Sequence, residues 1–75
     1  MIVRVQWYPR PSPLGEIPPK LSHVYQCSEY FLEEIGTSNA RLILDVNKHD
    51  LFLSNGDEAF IMNDQGKTIY VVRTV

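Results

Sequence analysis

Apolar residues recur along this chain at the spacing of β-strands, and the pattern is clearest over the last twenty-six residues, Asp50 to Val75. Leu51-Phe52-Leu53 runs into Ser54-Asn55-Gly56-Asp57, where the Asn-Gly pair supplies the positive φ angles of a two-residue type I′ turn. Glu58 to Met62 then meets Asn63-Asp64-Gln65-Gly66-Lys67. That segment reads as a type I turn whose following glycine is left-handed and forms a bulge. Thr68 to Val75 is the return strand, and together the three segments predict an antiparallel meander.

The turns imply a register. Closure at Asn55-Gly56 sets Leu51 opposite Phe60 and Phe52 opposite Ala59. Pairing of Asn63 with Lys67 sets Phe60 opposite Tyr70 and Ile61 opposite Ile69. One face then carries Phe52, Ala59, Ile61, Ile69 and Val71, and the other Leu51, Leu53, Phe60, Met62, Tyr70 and Val72. A sheet with one wet face should alternate apolar with polar residues, and this one does not. The ribbon must curl into a small barrel, take a second layer, or leave one face open to a partner.

Upstream, Ile2 to Tyr8 alternates cleanly, with Val3, Val5 and Trp7 on one side and Arg4 and Gln6 on the other. All five prolines follow within residues 9–20, which rules out helix or central strand there and predicts an extended arm with a bend at Gly15. Residues 21–35 admit two readings. As a helix, Ser28 would be the N-cap and Gly36 the C-terminal cap, but Glu33 and Glu34 would lie at the negative end of the helix dipole. As strands, Val24 to Cys27 and Tyr30 to Glu34 would pair onward through the turn at 36–39 with Arg41 to Val46; this reading is preferred. Asn47-Lys48-His49-Asp50 links that strand to the meander. The expected fold is all-β, a small five- to six-stranded antiparallel barrel or curled sheet ending in a three-stranded meander. The alternative is α+β, with one short helix near residues 28–35. Residues 1–75 are expected to form one domain.

Composition narrows the function classes. The chain has 75 residues, 44% of them hydrophobic, which suits a folded domain, and a formal net charge of −2. That balance argues against a duplex-DNA binder held by phosphate contacts. The single cysteine, Cys27, cannot form an internal disulfide, so a reducing cytoplasm is expected. No stretch approaches the length of a membrane span and the start lacks a signal-peptide pattern, so no membrane association is expected.

Reaction chemistry is thinly represented. Cys27 with His23 or His49 would be a nucleophile and base, but no local pattern supports the pair. His23 with Cys27, or His49 with Asp45 and Asp50, falls short of the four ligands of a closed zinc site. Gly66-Lys67-Thr68 lacks the upstream glycine of a phosphate loop. The expectation is therefore a non-enzymatic chain with no cofactor and no metal. Trp7-Tyr8-Pro9-Arg10 differs in kind, because aromatic and arginine side chains together are enriched at binding hot spots. The expected function is a cytoplasmic protein–protein interaction module, an inhibitor or adaptor of a larger protein. Its partner surface is expected to comprise Trp7, Tyr8, Arg10, Ile17, Phe60, Met62 and Tyr70, with self-association into a homodimer as one version. The alternative is a small β-barrel binding single-stranded nucleic acid, with Tyr8, Tyr25, Tyr30 and Tyr70 stacking on bases.

Overall fold

The alternation seen in the sequence is realised as strands throughout. The computed structural model describes residues 1–9, 14–15, 21–46 and 48–75. Arg10, Ile17 and most of the proline arm lie outside the described residues. The elements are β1 (Ile2–Trp7), β2 (Leu21–Gln26), β3 (Tyr30–Ile35), β4 (Asn39–Leu44), β5 (His49–Ser54), β6 (Glu58–Met62) and β7 (Thr68–Arg73). They form two antiparallel sheets, one of four strands ordered β2-β1-β6-β7 and one of three ordered β3-β4-β5. The sheets are curled and stay open, and no strand pairing among the described residues closes them into a barrel.

Residues 28–35 do not form the alternative helix. Leu32 and Tyr30 lie opposite Leu42 and Leu44 across the β3–β4 ladder, so the β-favouring side chains find a matching apolar row. The core lies between the sheets. Val3, Val5, Ala59, Ile61 and Val72 face it from the four-stranded sheet, and Ala40, Leu42, Leu44 and Leu53 from the three-stranded one. Two seams join the strands at the rims. The Tyr25 ring on β2 lies 5.0 Å from the His49 ring on β5, and the Tyr70 hydroxyl on β7 donates to Glu34 Oε1 on β3 at 3.3 Å.

The predicted turns form, but the first does not join paired strands. Asn55 and Gly56 both have positive φ, at 51° and 100°, and the Asp57 amide donates to the Ser54 carbonyl at 3.2 Å, as a type I′ turn requires. The strands it connects part company, because β5 pairs with β4 while β6 pairs with β1 and β7. Leu51 therefore does not face Phe60, and Phe52 does not face Ala59. The three-stranded meander is β3-β4-β5, and β1 takes the place beside β6 that had been assigned to the Leu51–Leu53 segment. The second hairpin keeps its expected loop, with Gly66 at φ 79° and the Asn63 amide donating to the Lys67 carbonyl at 2.9 Å. A register shift beside Ile61 and Met62 then leaves Ile69 as an extra residue. Phe60 consequently faces Val71 and Ile61 faces Tyr70.

Each passage from one sheet to the other is tied by an aspartate. At the β5–β6 crossing the buried Asp57 accepts from the Tyr8 amide at 2.7 Å and the Ser54 amide at 3.0 Å. Its own carbonyl takes the Thr74 amide and hydroxyl. At the β2–β3 crossing Asp45 accepts from the Ser28 and Glu29 amides at 2.8 and 3.2 Å. Those donors, the Ser28 amide foremost, hold the Asp45 carboxyl below the usual carboxylate range.

Asp57→Ala withdraws an acceptor from two main-chain amides and is expected to cost about 2–4 kcal/mol in urea denaturation, with Asp57→Asn recovering only part of it. Because folding lowers the Asp45 pKa, its contribution is complete above the unfolded value of about 3.9 and is lost as pH falls through the lower folded value. Wild type is expected to exceed Asp45→Ala in stability at pH 7, and the gap should close on acidification when the two are melted in parallel.

Candidate functional site on the outer face of the four-stranded sheet

Pleating turns every second residue of the four-stranded sheet away from the core, and here that side sets apolar residues among polar ones. One row runs straight across all four strands as Val24, Arg4, Phe60 and Val71. The row beside it is Gln26, Ile2, Met62 and Thr68, and the row on the other side is Ser22, Gln6, Glu58 and Arg73. Val24 is 62% exposed, and Ile69, displaced by the bulge, is half exposed. Phe60, Met62, Ile2 and Val71 are half-buried, sheltered by their neighbours within the sheet.

Charge is confined to defined points on this face. The Arg4 guanidinium carbon lies 4.9 Å from the Phe60 ring centroid, a cation–π contact that holds the long side chain over the aromatic. Glu58 and Arg73 close the border as an ion pair at 2.9 Å. The arrangement can present a patch of apolar side chains with one central cation.

The expected site residues divide among several places. Phe60 and Met62 lie on this outer face. Trp7 is on the opposite side of β1, packed against the core. Tyr8 sits at the end of β1 with its ring against Gly56, where an added Cβ would meet Tyr8 Cδ2 at 2.9 Å. Tyr70 is at the rim bound to Glu34, whose charge and hydrogen bond push the phenol pKa up. Ile2, Val24 and Val71 were missed. The Ile2–Arg4–Gln6 side of β1 was visible as the polar side of that strand, but only the β1–β6 pairing brings Arg4 onto Phe60. Cys27 is in the core, where burial first and the nearby Asp45 charge second push its thiol pKa up. Among the described residues no three His, Cys, Asp or Glu side chains converge as metal ligands.

The three-stranded sheet also exposes apolar side chains outward, at Phe31, Ile35 and Phe52. They are interrupted by the Arg41–Asp50 pair, whose guanidinium contacts both carboxylate oxygens. A pocket of about 390 Å³ opens beside Phe31, lined by Glu29, Tyr30, Ile43 and Val46 as well. In comparisons with known proteins, no family model, curated protein or solved structure matches this chain significantly.

The two sides of the sheet should answer differently to truncation. Ile61→Ala, in the core, is expected to cost about 2–5 kcal/mol, whereas Val24→Ser should stay within about 0.5 kcal/mol when both are measured by chemical denaturation.

Proposed function

We propose that this chain is a non-enzymatic protein-interaction module, acting as an inhibitor or adaptor by laying the outer face of its four-stranded sheet on a larger protein. The observation that carries the reading is the row Val24–Arg4–Phe60–Val71, apolar but for one arginine and directed away from the core. Apolar patches rimmed by polar residues mark contact surfaces on soluble proteins, and an aromatic with an arginine is the pairing enriched at their energetic centres. Arg41 and Arg73 are already engaged by Asp50 and Glu58, which favours a protein partner over a nucleic-acid backbone.

The test is affinity capture from a lysate of the native host, using wild type beside a Phe60→Glu/Val71→Glu variant whose fold is verified by circular dichroism. A partner held by wild type and lost by the variant is the expected result. Equal capture by both would move the contact off this face.

A further inference from the structure

Among the described residues four strands form the free edges of the two sheets, and they are not protected equally. β3 carries Glu33 and Glu34, β5 carries Asp50, and β7 carries Arg73 and the bulge at Ile69. Charges and bulges at edges are the usual guards against strand addition. β2, Leu-Ser-His-Val-Tyr-Gln, has no Asp, Glu, Lys, Arg or proline and pairs in unbroken register with β1. Among the described residues its other edge is unpaired.

Which main-chain groups that edge offers follows from the ladder. Met1 and Cys27 exchange two hydrogen bonds, the amino group donating to the Cys27 carbonyl at 2.9 Å and the Cys27 amide to the Met1 carbonyl at 3.0 Å. Antiparallel pairs alternate between bonded and non-bonded, so Tyr25 and His23 are also spent on β1. Ser22, Val24 and Gln26 direct their N–H and C=O groups outward.

We propose that β2 pairs antiparallel with β2 of a second copy of this chain, across a two-fold axis at Val24. A two-fold normal to the sheet keeps core side with core side, so the axis must pass through a residue rather than between two. Centring on Val24 bonds Val24 to Val24 and Ser22 to Gln26 twice, using all three outward residues for about six hydrogen bonds. Centring on His23 or Tyr25 bonds only two outward residues per chain to each other, for about four, and the former sets like imidazoles face to face. The Val24 register instead places His23 beside Tyr25 of the other copy and opposes no like charges. It also makes the row Val24–Arg4–Phe60–Val71 continuous across both sheets, doubling the outer face. The pairing uses the strand edge, so it stands independently of the partner proposed above.

Light scattering coupled to size exclusion, run on the full chain up to about 1 mM, reads the dimer directly. The mass expected is twice the 8.7 kDa of one chain. Val24→Pro removes a donor that β1 does not use and should return the mass to that of one chain with an unchanged strand spectrum. If the proline variant unfolds, Val24→Lys, which sets two cations at the axis, is expected to give the same single-chain mass. Phe60→Glu/Val71→Glu should remain dimeric. A wild type that stays monomeric throughout, or a dimer that a folded Val24 variant leaves intact, overturns the proposal.

Discussion

The structure depends on how the main chain is satisfied where it leaves one sheet for the other. A strand inside a sheet has ladder partners for its amides, but a segment passing between layers has none. Asp57 and Asp45 resolve this at the two crossings, each carboxylate taking two amides. Asp57 also gathers the ends of β1, β5 and β7 at one buried point, through Tyr8, Ser54 and Thr74. Charged acceptors make stronger bonds than neutral ones. The carboxylate here holds the ends of β1 and β5, and the carbonyl of the same residue holds the end of β7.

That core explains the faces. The largest fully buried side chains are Leu42, Leu44, Leu53, Ile61, Val3 and Val5, and no aromatic is among them. Two short sheets enclose space for one interdigitated layer of aliphatic residues, with alanines at Ala40 and Ala59 where strands approach. The aromatics are displaced to the rims and outer faces. Trp7, Tyr25 and Tyr30 cap the core from its margins, while Phe31, Phe52 and Phe60 look outward. The apolar exterior is thus a consequence of a chain that carries more large apolar side chains than its two-layer interior can hold.

The strands and turns were legible because they are local. Asn55-Gly56 adopts the expected positive φ values and Gly66 the expected left-handed one, since glycine and asparagine chemistry acts within a few residues. Pairing was not legible from the turn. A type I′ turn normally returns a strand to its neighbour, yet Asp57 anchors to Tyr8 and Ser54 and turns β6 into the other sheet beside β1. The face assignment failed on β5, which belongs to the other sheet and sends Leu53 into the core and Phe52 outward, and on β7, where Val72 joins Ala59 and Ile61 in the core. The bulge at Ile69 exchanges the sides of Tyr70 and Val71, and no feature of Thr-Ile-Tyr-Val announces it. Phe60 and Met62 kept their common side because β6 itself is regular. Of the candidate surface, the sequence therefore showed the β6 residues, and only pairing showed Arg4, Val24 and Val71.

Edge and face are coupled through Val24. Its side chain begins the outward apolar row, while its amide and carbonyl point to the free edge, because Arg4 and Val24 form a non-bonded pair of the ladder. A charge at this position would guard the edge against strand addition, as Glu33, Asp50 and Arg73 guard the others, and would also break the row that runs to Phe60. An exposed valine does neither. One residue, 62% exposed, keeps both the apolar row and the hydrogen-bonding edge open, and the absence of charge along all of β2 follows the same logic.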